Sequence, residues 1–200
     1  MTKIITKQNI EEVVHVIEND GIVAFPTETV YGLGVRFGSR VALDRLMEAK
    51  QRDYSKAVTL MLADKKEINQ YAYVNDKAKK LIDKFMPGMI TLVFKKKEDV
   101  DSYMTNGKET IGIRIPDSEY VLNLIKKTGP LFVTSANLSS HQNTTTTNEV
   151  LMQLEGRIDL IVDGKTSDNI ASTVVDVSED EIKILRVGKI SEEDIKEAIK

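Results

Sequence analysis

Five short segments carry hydroxyl, carboxylate and cationic side chains, nearly all at the ends of predicted strands, where α/β folds bind their ligands. They are 26–34 (PTETVYGLG), 50–52 (KQR) with Lys56, 110–116 (TIGIRIP), 134–137 (TSAN), and Ser172-Thr173 with Arg186. Arginine forks and lysine ammonium groups suit phosphate oxygens. The sequence contains neither G-x-x-x-x-G-K-[ST] nor G-x-G-x-x-G, so a nucleotide site would have to be assembled from scattered side chains.

The cations leave two interpretations open. Lys50, Arg52 and Lys56 follow a predicted helix, and a solvated basic turn is the more common meaning of such a cluster. Arg114 shares one face of a predicted strand with Thr110 and Gly112, because strand side chains alternate. An arginine among apolar neighbours costs desolvation unless it has a partner. It therefore either pairs with a buried carboxylate or faces a cleft and binds an anionic ligand.

The other segments are weak evidence when each is taken alone. The two glycines of 26–34 predict a bent loop that exposes its backbone, and a turn with surface threonines is the simpler interpretation of its composition. Ser135 and Asn137 are typical of a capped turn as well as of a ligand contact. Ser172 and Arg186 allow no separate conclusion.

Composition excludes several classes of function. The chain has no cysteine, so disulfides, thiolate zinc sites and a cysteine nucleophile are excluded. Neither His15 nor His141 has neighbours at metal-ligand spacing, so we expect no protein metal site. No G-x-S-x-G motif occurs, so a serine hydrolase is not expected. The net charge is −3, and no segment resembles a signal peptide or a membrane span. We expect a cytoplasmic protein without a membrane partner.

Hydrophobic periodicity predicts an α/β fold, because strands and helices alternate along most of the chain. The predicted helices are 10–20, 40–49, 65–71, 76–85, 118–127, 147–154 and one after Ser191. Caps are predicted at Asn9 for the first helix, at Asn75 for the fourth, and at Ser191 with Asp194 for the last. The predicted strands are 22–25, 58–62, 90–94, 110–115, 131–134, 160–162 and a hairpin pair, 172–177 with 182–185. The length of 200 residues predicts a single domain over 1–200, with a core of about 7–190.

Taken together, the segments resemble one family. The order FPTETVYGLG, KQR, TIGIRIP, TSANLS, STVVDV and LRVG is similar to that of YrdC-like threonylcarbamoyl-AMP synthases, in the single-domain form. The resemblance implies an open, twisted sheet flanked by helices, with a large concave basic cavity. It implies that L-threonine, bicarbonate and ATP are condensed to threonylcarbamoyl-AMP and pyrophosphate. ATP is then a substrate that carries its own Mg²⁺.

The resemblance also implies partners and roles for individual residues. The product feeds the N6-threonylcarbamoyl modification of tRNA adenosine 37, which a separate transferase complex completes. The alternative is a family member that binds double-stranded RNA or tRNA without synthase activity. The threonine ligands implied are Thr29, Arg114 and Ser172. The ATP ligands implied are Lys50, Arg52, Lys56, Thr110, Ser135, Asn137, Asn143 and Arg186, with Lys50 and Arg52 also catalytic. The chain departs from the common family pattern at Asp53, Lys56, Met61, Asn143, Ala171 and Val187.

Overall fold

The computed structural model describes residues 1–53 and 56–200. Its ten strands are β1 Lys3–Ile5, β2 Val23–Phe25, β3 Gly32–Arg36, β4 Thr59–Met61, β5 Ile90–Lys95, β6 Thr110–Arg114, β7 Leu131–Ser135, β8 Leu160–Val162, β9 Thr173–Asp176 and β10 Lys183–Arg186. Its seven α-helices are α1 Ile10–Glu18, α2 Arg40–Ala49, α3 Ile68–Tyr71, α4 Asp76–Phe85, α5 Glu119–Thr128, α6 Thr147–Leu154 and α7 Glu192–Ala198. Within the described ranges, no helix has the length and apolar character needed to cross a membrane.

All ten strands join one mixed sheet in the order β1-β8-β2-β3-β7-β4-β6-β5-β9-β10. The pairs β1·β8, β2·β8, β4·β6 and β5·β9 are parallel, and the remaining pairs are antiparallel. The sheet has two free edges, β1 and β10, so it is open. This confirms the predicted α/β class with an open sheet and flanking helices.

The two faces of the sheet are covered differently. Side chains of α2 and α6 pack on one face with Leu33 and Phe132, and those of α4 pack on the same face further along with Ile111 and Ile113. Helices α1 and α5 cover only part of the opposite face, around Phe25. On the rest of that second face, alternate residues of β4, β6, β5 and β9 line a cavity, which is where a ligand could reach the sheet.

Side-chain caps explain several helix ends. Asn75 accepts a hydrogen bond from the backbone N–H of Ala78 at 2.8 Å and so begins α4 as predicted. A capping box of Ser191 and Asp194 begins α7. The predicted cap at Asn9 is right in position only, because its carboxamide oxygen accepts from the Thr6 hydroxyl at 2.9 Å and makes no capping bond to the helix backbone.

The prediction of a bent loop through Gly32 and Gly34 is wrong, because these residues lie in the buried strand β3. The glycines are explained by packing against Phe25. A Cβ on Gly34 would lie 2.6 Å from Cε1 of Phe25, and one on Gly32 would lie 3.1 Å from Cε2 of the same ring. The ring occupies the space that two side chains would otherwise fill. Strand β1 was also not predicted, because its three residues give no periodic signal.

Candidate functional site

A cavity of about 470 Å³ opens on the partly uncovered face of the sheet. Its floor is formed by one row of residues across neighbouring strands. Strand pairing sets Val133 beside Thr59, Thr59 beside Gly112, Gly112 beside Val93, and Val93 beside Asp176. A volume of this size suits a small-molecule ligand. The described residues that line it include four cations, Arg52, Lys108, Arg114 and Arg186, and one carboxylate, Asp176.

Arg114 is paired with a buried carboxylate and also lines the cavity, and its predicted contact with an anionic ligand stays a prediction. Its Nη2 donates to Oε1 of Glu28 at 2.6 Å, so the guanidinium is paired with a buried carboxylate. The same nitrogen donates to Oγ1 of Thr29 at 3.1 Å, and Nε donates to the carbonyl of Gly88 at 3.2 Å. Arg114 is only 5% exposed, yet it lines the cavity. Among the described residues, Nη1 has no hydrogen-bond partner.

Glu28 is a site residue that the sequence analysis missed. Its Oε1 also accepts from the backbone N–H of Asp117 at 3.0 Å, so this carboxylate joins the β2–β3 loop to the segment after β6. Its second oxygen is buried and lacks a hydrogen-bond partner in the described part of the chain. The available signal was that Glu28 is the one acidic residue of PTETVYGLG. A buried arginine predicted nearby needed such a partner.

Paired hydroxyls flank Arg114 on two sides. Thr27 and Thr29 place their Oγ1 atoms 3.0 Å apart in the β2–β3 loop, where Thr27 also donates to the carbonyl of Val30 at 2.7 Å. Across the cavity, the hydroxyls of Thr91 and Ser172 lie 2.9 Å apart. Thr29 is 1% exposed and Ser172 is 4% exposed, so these groups are held rigidly by the fold.

Arg186 reaches the same region from β10. Its Nη2 donates to the carbonyl of Ser172 at 2.8 Å and to the hydroxyl of Ser172 at 3.3 Å. Burial lowers the pKa of the Arg186 guanidinium, and the positive charge of Arg114 lowers it further. Two arginines therefore lie close enough to repel each other, and of the two only Arg114 has a carboxylate partner among the described residues. An anion bound between them would relieve that repulsion.

Arg52 enters the cavity from the segment after α2. Its Nη2 donates to the carbonyl of Ala57 at 2.9 Å, and Nε lies 3.4 Å from the carbonyl of Lys56. Burial lowers the pKa of the Arg52 guanidinium. Lys56 does not line the cavity; its Nζ lies 3.3 Å from the hydroxyl of Ser139 and 3.5 Å from that of Ser140.

Lys50 lies beneath the cavity wall and is fully buried. Its ammonium donates to the carbonyls of Ser135 and Asn137, and its own carbonyl accepts from the backbone N–H of Ser139 at 2.9 Å. Burial and the nearby cations Arg52 and Lys56 lower the pKa of Lys50 to about 7. In this arrangement Lys50 holds the turn after β7 in place, and its predicted contact with ATP stays a prediction.

The turn after β7 is held by side chains as well as by Lys50. Asn137 donates from Nδ2 to the carbonyls of Leu138 and His141, both at 2.8 Å. It is 5% exposed and does not line the cavity, and no described residue donates to its buried Oδ1. Ser135 lies at the end of β7 and lines the cavity. Asn137 therefore shapes this wall from behind, as Lys50 does.

The structure brings most of the predicted site residues into one cavity. Those that line it are Thr29, Arg52, Thr110, Arg114, Ser135, Asn143, Ser172 and Arg186. Three do not line it: Lys50, Lys56 and Asn137. The sequence analysis missed Lys108, Thr91 and Asp176, whose side chains reach the cavity only because β5, β6 and β9 are neighbours in the sheet. The described residues hold no group of three or more His, Cys, Asp or Glu side chains placed to bind a metal ion.

Comparison with known proteins identifies relatives along nearly the whole chain. The Sua5_yciO_yrdC family model, described as "Telomere recombination", matches residues 15–188. A putative threonylcarbamoyl-AMP synthase from Methanocaldococcus jannaschii is 37% identical, over 87% of this chain and 83% of its own length. Threonylcarbamoyl-AMP synthase from Bacillus subtilis is 39% identical, over 91% of this chain and 54% of its own length.

The fold has the same relatives. The structure of Pyrococcus abyssi Sua5 complexed with L-threonine superposes with a TM-score of 0.93 at 32% identity, over 100% of this chain and 61% of the Sua5 chain. This chain thus spans only about half to three-fifths of the length of two of these relatives, and most of the third. The residues that the family model matches, 15–188, include every described residue that lines the cavity. The chain belongs to the Sua5/YciO/YrdC family.

Proposed function

We propose that this chain is a threonylcarbamoyl-AMP synthase, which condenses L-threonine, bicarbonate and ATP to threonylcarbamoyl-AMP and releases pyrophosphate. The observation that carries the proposal is one cavity that holds a buried arginine between two pairs of hydroxyls, with further cations beyond it. Such a cavity offers an amino-acid site and a phosphate site side by side. Threonylcarbamoyl-AMP synthases among the relatives support this assignment.

The amino-acid site is built around Arg114. Its Nε and Nη2 are bonded to protein, which fixes the guanidinium plane before any ligand arrives. The Nη1 group is the donor that would meet the threonine carboxylate, in a charge-assisted hydrogen bond. Thr29, which Arg114 contacts, and Ser172, which Arg186 contacts, are the hydroxyls that would orient the rest of the amino acid.

The phosphate site lies at the Arg52 end of the cavity. Arg52, Thr110, Ser135 and Asn143 are the ATP ligands we assign among the lining residues there. Arg186, which lies beside Ser172 and Arg114, would reach ATP from the threonine side of the cavity. The nucleotide would bring its own Mg²⁺. Lys50 and Asn137 would act on ATP indirectly, because they fix the turn that carries Ser135. Lys56 would contribute its charge from behind this wall.

The chemistry would proceed in two bond-forming steps. The threonine amine adds to the carbon supplied by bicarbonate, with loss of water, and gives an N-carboxy group. An oxygen of that group attacks the α-phosphorus of ATP. The new P–O bond forms as the bond to the β-phosphate bridge breaks, and pyrophosphate leaves with the electron pair. Such a nucleotidyl transfer needs positioning and neutralised charge rather than a protein nucleophile.

The product would be consumed by an enzyme complex that transfers the threonylcarbamoyl group to adenosine 37 of tRNA. The alternative function, binding of double-stranded RNA or tRNA without synthesis, would require phosphate contacts only. It gives no role to the buried set of Thr29, Arg114 and Ser172, whose hydrogen bonds are described above. We therefore favour the synthase.

The test is release of pyrophosphate by the purified protein. We expect release only when ATP, L-threonine and bicarbonate are all present, because the nucleophile is formed from two of them. Reactions that lack either threonine or bicarbonate are the controls. Equal release from ATP alone would rule out the synthase. Tight binding of a tRNA or an RNA duplex, with no release under any condition, would favour the alternative.

A further inference from the structure

Gly34 and Gly112 lie in one row of residues across the sheet, and they differ in what lies where a side chain would be. Strand pairing sets Gly34 beside Val133, Val133 beside Thr59, and Thr59 beside Gly112. Both glycines therefore point to the same sheet face. Glycine in the interior of a strand weakens it, and often marks a close approach of another group. The group that approaches each glycine can be identified separately.

At Gly34 the approaching group is protein. An added Cβ would lie 2.6 Å from Cε1 and 3.0 Å from Cζ of Phe25, which is fully buried. Any side chain at this position would have to displace a core ring. The fold itself requires glycine here.

At Gly112 no group in the described part of the chain requires glycine. An added Cβ would lie 3.6 Å from Cγ2 of Thr91, 3.9 Å from Cγ2 of Val93 and 4.0 Å from Oγ1 of Thr59, all ordinary van der Waals distances. Its φ lies outside the left-handed region that disfavours other residues. A side chain here would project only into the cavity, which Gly112 lines. The open place at Gly112 is therefore part of the ligand site.

The position of Gly112 indicates which part of the ligand lies over it. Thr110 and Arg114 stand on the same face of β6, each two residues or about 6.6 Å from Gly112. In the function proposed above, Arg114 binds the threonine carboxylate and Thr110 belongs to the ATP site. Gly112 lies midway between these two ends. That is where the carbamoyl oxygen must meet the α-phosphorus.

We propose that Gly112 leaves the cavity floor open beneath the acyl–phosphate junction of the adenylate, so that the reacting atoms can lie against the backbone. The space admits an acyl-adenylate whose mixed anhydride lies against the backbone of β6. A side chain at this position would lift the junction from the floor, while the two ends of the cavity would remain intact. The inference rests on the proposed function and assigns it one further residue.

The test compares Gly112→Ala and Gly112→Val with Gly34→Ala, which introduces the same methyl group in the same row. We expect Gly112→Ala to fold and to melt at or above the temperature of the wild type. Its affinities for threonine alone and for ATP alone should remain near wild type in calorimetric titrations. Its rate of pyrophosphate release should fall by about 100-fold, because displacing reacting atoms by about 1 Å costs that much. Gly112→Val should lose more, and Gly34→Ala should melt below wild type.

Each other outcome overturns the inference. Gly112→Ala with wild-type release would show that nothing approaches the floor at this point. Gly112→Ala that melts as low as Gly34→Ala would show that the fold, and not a ligand, requires the glycine. A wild-type protein that releases no pyrophosphate with all three substrates would overturn the proposed function, and this inference with it. Pyrophosphate release by the wild type thus distinguishes failure of this inference from failure of the proposed function.

Discussion

The two ends of the cavity are built in different ways. The end proposed to bind threonine, called the threonine end, contains Thr29, Arg114 and Ser172, each at most 5% exposed. Arg114 donates to the Thr29 hydroxyl, and the Ser172 hydroxyl contacts Thr91 and Arg186. The end proposed to bind phosphate, called the phosphate end, contains Arg52, a half-buried arginine bonded to backbone carbonyls. The exposed Lys108 is a further cation that lines the cavity. The first end is fixed by hydrogen bonds between side chains, whereas the second has more exposed cations.

Because of this difference, we expect the threonine end to select its ligand by shape and hydrogen bonding, and the phosphate end to attract anions by charge. At the threonine end, the cost of desolvating and orienting the polar groups is met when the protein folds, so a ligand of the right shape gains the full value of each hydrogen bond. At the phosphate end, the cations keep part of their hydration, and their attraction for an anion acts over a longer range and weakens with salt. Substitutions at the first end should therefore change stability and binding together, and substitutions at the second should change binding alone.

The largest effect is expected from Arg114→Met. Removal of the guanidinium leaves the Glu28 carboxylate buried without its cation, which should lower the free energy of unfolding by about 3–5 kcal/mol. Threonine binding should be lost as well, because the carboxylate ligand is gone. Urea denaturation and calorimetric titration with threonine measure the two losses.

The double variant Glu28→Gln with Arg114→Met separates these losses. Replacing the carboxylate by a neutral amide removes the unpaired charge, so most of the stability should return while threonine binding stays absent. If the double variant were as unstable as Arg114→Met, the ion pair would not be the source of the loss. Normal threonine affinity in either variant would remove Arg114 from the threonine site.

A smaller effect, confined to ATP, is expected from Arg52→Ala. Loss of a charge-assisted bond to phosphate should cost about 1.5–3 kcal/mol of ATP binding, with little change in melting temperature because the side chain is half-exposed. Arg40→Ala removes an exposed arginine outside the cavity and is the matched control. A lowered melting temperature with unchanged ATP affinity would make Arg52 a structural residue and would break the contrast between the two ends.

The smallest effect concerns Lys50 and pH. Its pKa of about 7 in the folded protein lies below the ordinary value of 10.5. Between these values the unfolded chain binds more protons than the folded one, so stability rises with pH. From pH 7 to 8 the wild type should gain about 1 kcal/mol relative to Lys50→Met, which lacks the titrating group. Urea denaturation of both proteins at the two pH values measures the gain; parallel pH dependences would mean that Lys50 stays charged beneath the phosphate end.

The sequence analysis was most accurate where local signals agree. Helix α2 was predicted with its observed bounds, and the caps of α4 and α7 were identified from Asn75 and from Ser191 with Asp194. These features depend on residues within one turn of each other, so periodicity and capping chemistry are sufficient to find them. The family motifs likewise named eight residues that line the cavity.

Local patterns and motifs were therefore sufficient to predict the α/β class, most of the elements, and the family with its motif residues. The tertiary structure alone decided that Gly32 and Gly34 form a strand, because the ring that fills their space belongs to Phe25 on the neighbouring strand. It also decided that Arg114 pairs with Glu28, 86 residues away, and that Lys50 points into the turn after β7 instead of into the cavity. The physical reason is that the order of strands in the sheet sets which group pairs with a buried charge or fills the space beside a glycine. That group can be far away in the sequence, so the spacing of residues does not identify it.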